Sequence, residues 1–191
     1  MSRGLLVVVS SPSGGGKDTV INELLSIFPD SVRLLTTTSR LPRPGDVDGV
    51  DYNFVSKDEF EDKIKNNELV EYNNYVGNYY GIEKKELEKS LEKNGIVFTN
   101  IEVNGKESLD KLGIKHLAIF LLPGSLEVLH DRIANRGGVT KEIIARRLDT
   151  AKQEMKKSNE YDYRVANKDG KFDETVKELT EIIQKELEDR N

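Results

Sequence analysis

The sequence predicts an α/β protein, a mostly parallel sheet covered by helices on both faces. Strand-like and helix-like segments alternate along most of the chain. The first, Leu5-Leu6-Val7-Val8-Val9, is an unbroken apolar run rich in β-branched residues, as expected of a strand buried on both faces. It passes through a glycine-rich turn, Ser10 to Gly16, straight into a helix. At 191 residues the chain is about one domain long, enough to bury a sizeable core.

The helix after the turn is expected over 17–28, with Val20, Leu24, Leu25 and Phe28 at helical spacing. From Thr36 to Gly81 the texture becomes polar and rich in Tyr, Arg and Gly, with strand candidates at 51–55 and 69–75. Ser56 with Glu59 three residues on reads as a capping box opening a helix to about Asn66. The α/β texture then resumes: helix 83–94, strands 95–101 and 115–122, and Arg-bearing helices 126–135 and 141–157. A short strand at 163–166 and a helix at 173–190 close the chain. The expected organisation is one domain over 1–191: a core of 1–35, 83–124 and 151–191, an inserted subdomain at 36–82, and a helical segment at 125–150.

Composition narrows the chemistry. Twenty-nine Lys and Arg against 34 Asp and Glu give a net charge of −5, which argues against a nucleic-acid-coating protein. There is no cysteine, so no disulfide, thiolate nucleophile or Cys-ligated zinc is available. His116 and His130 are too few and too far apart for a His-rich metal site. No apolar stretch approaches the roughly 20 residues of a membrane span, and Met1 to Gly4 shows no signal-peptide pattern. A cytoplasmic protein, monomer or homodimer, with no membrane partner is the expectation.

Ser11-Pro12-Ser13-Gly14-Gly15-Gly16-Lys17-Asp18 matches the Walker A phosphate loop except at its ends. Ser11 replaces the first Gly, and Asp18 replaces the hydroxyl residue. Glycines let backbone N–H groups turn inward around a phosphate, the helix N-terminus adds partial positive charge, and Lys17 reaches the terminal phosphates. Strand, loop, lysine and helix occur in the required order, so Ser13, Gly14, Gly15, Gly16, Lys17, Asp18 and Thr19 are the expected ATP-binding residues. A carboxylate beside a triphosphate repels it unless it helps hold Mg²⁺ or points away; Thr19 still offers a hydroxyl. Mg²⁺ carried with ATP is the expected cofactor, with Asp18 or Thr19 as the residues nearest to it.

A second anion site is suggested by Arg40 and Arg43, three apart in a stretch stiffened by prolines, since guanidinium grips phosphate through paired, fixed hydrogen bonds. The segment continues through Asp46 to Asp51-Tyr52-Asn53-Phe54, and later come Glu71 and Tyr79-Tyr80-Gly81. On these residues, and through nearly its whole length, the sequence resembles the guanylate kinase family. The resemblance implies a three-part fold of core, GMP-binding insertion and mobile lid, with ATP and GMP as substrates and no nucleic acid. It places Arg40, Arg43, Tyr52 and Tyr80 on the GMP phosphate, and Thr36 and Glu71 at guanine. A carboxylate accepts in parallel from the adjacent N1–H and N2–H₂ donors of guanine, and a hydroxyl donates to its O6.

The same resemblance makes residues 125–150 the lid. Arg132 joins the ATP-binding set, Arg136 and Arg147 become clamps on the moving phosphoryl group beside Lys17 and Arg43, and Asn167 falls near the adenine. Spacing alone leaves the charged faces bearing Arg132, Arg136, Arg146 and Arg147 open to a purely solvated role, and Asn167 open to capping a loop. The family's Asp-x-Asp-x-Gln-Gly stands here as Asn100-Ile101-Glu102-Val103-Asn104-Gly105, which keeps Asn100 and Glu102 at the GMP site with altered charge and reach. Ile82 stands where the family has Ser or Thr. Tolerated drift and altered base preference both remain open at these positions. Two other functions stay open as well: a ribose 1,5-bisphosphate kinase, whose loop resembles Gly16-Lys17-Asp18-Thr19, and a non-catalytic guanylate-kinase-like module binding phosphopeptides.

Overall fold

In the computed structural model, which describes residues 4–75, 77–134 and 140–190, the chain builds two sheets. The larger has the order β2-β7-β1-β8-β9, from β1 (Leu5–Ser10), β2 (Ser31–Arg33), β7 (Ile96–Thr99), β8 (Leu117–Pro123) and β9 (Tyr163–Asn167), all pairs parallel. Every residue of β1 is buried, which is why its sequence is continuously rather than alternately apolar. Leu5, Val7 and Val9 face α1 (Lys17–Ile27) and α7 (Phe172–Asp189) in one core cluster with Val20, Leu24, Leu179 and Ile183. Leu6 and Val8 face the other layer, with Leu87 and Leu91 of α3 (Lys84–Lys93) and Leu109 of α4 (Val103–Lys111). Each such side chain contributes about 1.5–3 kcal/mol of burial, so the middle strand anchors both layers.

The smaller sheet, β4-β3-β6-β5, comes from the inserted segment: β3 (Thr37–Thr38), β4 (Asn53–Phe54), β5 (Leu69–Tyr75) and β6 (Asn78–Glu83). Its β3–β4 pair is parallel and the others antiparallel, with an irregularity between Leu69 and Glu71. The capping box is formed as expected at α2 (Lys57–Lys65): Ser56 Oγ accepts from the Glu59 amide at 3.1 Å and the Ser56 amide donates to Glu59 Oε2 at 2.7 Å.

A polar knot ties the insert together where it returns to the core. Glu83 Oε1 accepts from Thr37 at 2.6 Å and Asn53 at 3.0 Å, and Oε2 pairs with Lys63 at 3.0 Å. Burial pushes the Glu83 carboxyl up, but these partners outweigh it and hold the group below the usual carboxylate range. The helices α5 (Leu126–Ala134) and α6 (Lys141–Lys157) pack through Leu129, Ile133, Ala151 and, at the edge, Ile144 and Leu148. Helix α6 is continuous through residue 150, where the sequence reading ends the lid.

The sequence reading misses β2, β3, β6 and α4. β2 and β3 are two or three residues long and take their shape from neighbouring strands. α4 carries Asn104 and Gly105, poor helix formers, and exists because Val103, Lys106 and Leu109 bury one face.

Candidate active site

The phosphate loop has the backbone its sequence calls for. Gly14 and Gly16 sit at φ +90° and +86°, in the left-handed region that glycine enters without cost. Gly16 is the N-cap of α1 and has no side chain to offer, so the first-turn N–H groups of the helix are left for an anion. A Cβ on Gly15 would meet the Ser11 side chain at 2.5 Å, and one on Gly16 would meet Asn167 Nδ2 at 2.7 Å. Ser13 and Lys17 are half-buried, and Asp18 and Thr19 are exposed on the first turn.

Two residues from the other end of the chain hold this loop. Asn167, buried at the end of β9, donates from Nδ2 to the Gly15 carbonyl at 2.9 Å. Arg132 on α5 donates to the Gly14 carbonyl at 3.2 Å and pairs with Asp169. Asn167 thus caps the loop, one of the two roles left open by its sequence position. Replacing Asn167 with alanine leaves the Gly15 carbonyl buried without its donor and is expected to cost about 1–3 kcal/mol of stability. Urea unfolding reads this directly, and an unchanged midpoint would count against the strut.

Asp46, Tyr52, Phe54 and, through Tyr52, Tyr80 gather around Arg40. Its Nη2 pairs with Asp46 Oδ2 at 2.8 Å, its Nη1 donates to the Leu41 carbonyl, and its guanidinium carbon lies 5.3 Å from the Tyr52 ring centre and 5.4 Å from that of Phe54. The Tyr52 and Tyr80 rings meet edge-on at 6.1 Å. Asp46 Oδ2 also accepts from the Arg43 amide at 2.7 Å. That amide and the Arg40 guanidinium hold its carboxyl below the usual range despite partial burial. Asp46 is therefore the group that folds the two-arginine loop, while the Arg43 side chain stays exposed. Burial, then the neighbouring Tyr80, raises the Tyr52 phenol, so it stays a hydrogen-bond donor at neutral pH.

A group of carboxylates gathers where β5 meets α4. Burial and then the charge of Glu102 push Glu71 up to about 7. Glu102, the N-cap residue of α4, accepts from Asn73 Nδ2 at 2.9 Å. Gly105 on the next turn has no Cβ because one would stand 3.0 Å from Ile101 Cβ and 3.1 Å from Glu71 Oε2. A Gly105→Ala variant is expected to displace the Glu71 carboxyl by a few tenths of an ångström, raising the acceptor KM about 3–10-fold with kcat nearly intact. Equal KM values in the two proteins would show that Glu71 needs no such seat.

Sequence reasoning missed Glu154 on α6. Burial, then Glu102, pushes its carboxyl up to about 7, against the opposing charge of Lys17, so it sits at the junction of the phosphate loop and the carboxylate group. The signal was Ala151, buried one helical turn earlier, which puts Glu154 on the inward side of α6. Thr36 is half-buried and its carbonyl accepts from the Asn53 amide at 3.0 Å. Ile82 is 1% exposed and packs among Leu6, Val8 and Ile101, so its side chain belongs to the core rather than to the cleft. Arg147 is half-buried on α6 and Arg146 exposed; Arg136 lies outside the described residues.

Comparison with known proteins follows the same lines. A family model described as guanylate kinase matches residues 3–186. The guanylate kinase of Rickettsia felis is 40% identical over 187 residues, covering 98% of this chain and 96% of that one. That of Bacillus cereus is 45% identical over 166 residues, covering 86% and 81%. The crystal structure of guanylate kinase from Anaplasma phagocytophilum superposes with a TM-score of 0.74 at 30% identity, covering 98% of this chain and 88% of that one. The SH3-kinase fragment of tight junction protein 3 is similar at TM-score 0.56 and 13% identity, over 98% of this chain and 59% of that one, a likeness of fold alone.

Proposed function

This chain belongs to the guanylate kinase family and is an ATP-dependent nucleoside monophosphate kinase that phosphorylates GMP, and we propose that it does so with the groups described above. The observation that carries the assignment of roles is that one chain holds a glycine loop at positive φ opening α1 and an arginine–tyrosine cluster organised by Asp46, with the Asp18 charge reaching Tyr52. Gly14 to Gly16 and Lys17 take the ATP phosphates. Arg40, fixed by Asp46 and the Tyr52 and Phe54 rings, holds the acceptor phosphate with Arg43, Tyr52 and Tyr80. Glu71 and Thr36 face guanine, with Glu102 and Asn100 beside them.

Phosphoryl transfer depends on positioning and charge neutralisation more than on covalent chemistry. The attacking oxygen already belongs to a phosphate monoester, so no general base is needed. Arg132, Arg136 and Arg147 supply positive charge from 125–150, and closure of that segment excludes the water that competes with GMP as acceptor. Asp18 and Thr19, exposed on the first turn of α1, offer hard oxygens that would hold the Mg²⁺ accompanying ATP; the ion would supply neutralisation of phosphate charge. Among the described residues no helix is long and apolar enough to cross a membrane, which together with the acidic, cysteine-free composition supports a cytoplasmic location.

The test is ADP production from ATP·Mg²⁺ with GMP, dGMP, AMP, IMP or ribose 1,5-bisphosphate as separate acceptors. Turnover concentrated on GMP and dGMP is expected. Preference for ribose 1,5-bisphosphate, or tight phosphopeptide binding without turnover of any acceptor, would overturn this reading.

A further inference from the structure

Among the described residues, the hydroxyl of Tyr161 is the buried side-chain polar atom without a hydrogen-bond partner. Tyr161 follows the short 3₁₀ turn Ser158–Glu160 after α6, just before β9, and is 8% exposed. Its ring meets Phe120 edge-on at 5.2 Å, and the Lys106 ammonium lies 5.4 Å from the ring centre. Val103 and Ala118 pack with it, and Met155 closes the edge. Val103 follows Glu102 and Met155 follows Glu154, so the ring is lodged between the two helices that carry these carboxylates. Ser10, the last residue of β1, stands beside the hydroxyl but outside hydrogen-bonding geometry, and gives its own proton to the Ile101 carbonyl at 2.7 Å. Burial, against the pull of Ser10, pushes the phenol up to about 12, so it is a donor at any working pH.

A buried donor with no acceptor destabilises the protein, and a site that needed only the ring would be served by phenylalanine. Three carboxylates act on the phenol: Glu154 most strongly, then Asp110 and Glu107. Asp110 is already paired with Lys106 at 2.8 Å, and Glu107 with Lys157. Glu154 has no such bond; the charges that bear on it are Glu102, which repels it, and Lys17, which attracts it. On the phosphoryl-transfer reading above, on which this inference rests, ATP draws the Lys17 ammonium to its phosphates and leaves Glu154 without a cation. We propose that Tyr161 is a positioning residue for Lys17: with nucleotide in the phosphate loop, its hydroxyl donates to the Glu154 carboxylate, takes the place of Lys17 there, and frees the ammonium for the phosphates. The proton stays on the phenol throughout, so the step is an exchange of partners and not a transfer. The unpartnered hydroxyl of the free protein is then a donor held for the loaded state.

The experiment is ADP titration by calorimetry, with Mg²⁺ present, on the wild type, Y161F, E154Q and the Y161F/E154Q double variant, together with thermal unfolding of the free proteins. Y161F removes only the unpartnered hydroxyl, so the free variant is expected to melt at or above the wild-type temperature. Its ADP affinity at pH 8 is expected to fall about 3–10-fold, because Glu154 keeps its hold on Lys17. E154Q has no charge to hold Lys17 and should bind ADP at least as well as wild type; adding Y161F to it should change affinity by less than about 2-fold. Glu154 faces Glu102 of α4, Lys17 of α1 and Tyr161, and burial, then Glu102, pushes its carboxyl up to about 7. It is mostly protonated at pH 6, where the ratio of wild-type to Y161F affinity should therefore shrink toward one. A Y161F protein that melts lower and binds ADP like wild type would make the hydroxyl purely structural and overturn the proposal. So would a Y161F penalty that persists in full in E154Q, or one that is equal at pH 6 and pH 8. Because ADP titration needs no acceptor, a wild type that binds ADP and leaves GMP unphosphorylated would defeat the functional reading while leaving this comparison readable.

Discussion

Replacing Lys17 with alanine is expected to lower kcat about 10²–10³-fold, equivalent to the ~2.7–4 kcal/mol lost when one preorganised donor to transition-state charge is removed. The backbone that presents Lys17 is fixed. Lys17 is the first residue of α1, directly after Gly16 at φ +86°, and the loop that precedes it is fixed from behind by Asn167 and Arg132. The neighbouring N–H groups are backbone and stay in place when the side chain is cut. Nucleotide binding should therefore fall less than turnover, and the GMP KM should change least, since Arg40, Tyr52 and Tyr80 stand on the insert. The variant has a second signature. The Lys17 charge opposes the upward push on the Glu154 carboxyl, so its loss raises Glu154 further and widens the pH range over which that group stays protonated. Steady-state kinetics and a pH titration of stability read both effects. Near-normal turnover would remove Lys17 from the phosphate site.

What the sequence disclosed was local, and what it hid was relational. β1, the phosphate loop and α1 are contiguous, and each is specified by its own residues: an apolar run, glycines at positive φ, and a helical period. The Ser56–Glu59 box is legible for the same reason. The Asp18–Asn100 contact is not, because 82 residues separate two side chains that each look like an isolated departure. Ile82 shows the converse. In a motif it reads as a lost hydroxyl at the base; in the fold its strand turns it into the core among Leu6, Val8 and Ile101. Glu154 was hidden because a carboxylate on a charged helix is usually solvated, and only its register with buried Ala151 sets it apart. Pairing between distant strands and the charge on neighbouring carboxylates are properties of the assembled layers, so β6 and the Glu71–Glu102–Glu154 grouping could emerge only with them.

That grouping sets the pH behaviour of the acceptor site. With its carboxyl pushed up to about 7, first by burial and then by Glu102, Glu71 is mostly neutral at pH 6 and mostly ionised at pH 8. Guanine presents two adjacent donors, which an ionised carboxylate accepts together; the neutral acid turns one of its oxygens into a competing donor. GMP affinity is therefore expected to rise as pH climbs through about 7, and binding near that pH should release protons, seen as a buffer-dependent heat in calorimetry. The phosphate of GMP itself titrates near pH ~6, so the control is Glu71→Gln. This variant keeps the shape and that lower transition, loses the one at about 7, and drops kcat/KM for GMP about 10²-fold or more while leaving ATP binding alone. Stability carries the same sign from the other side. The folded carboxyl holds its proton up to about 7, against 4.5 as the ordinary value, so its contribution is fully present below about 4.5 and is lost as pH rises through about 7. The free protein should melt lower at pH 8 than at pH 5.5, GMP should restore more of that loss at pH 8, and Glu71→Gln should flatten part of the slope, with Glu154 responsible for the rest. A GMP affinity that is flat across about 7, or a Glu71→Gln variant with wild-type kcat/KM, would place the guanine-reading carboxylate elsewhere in the cleft.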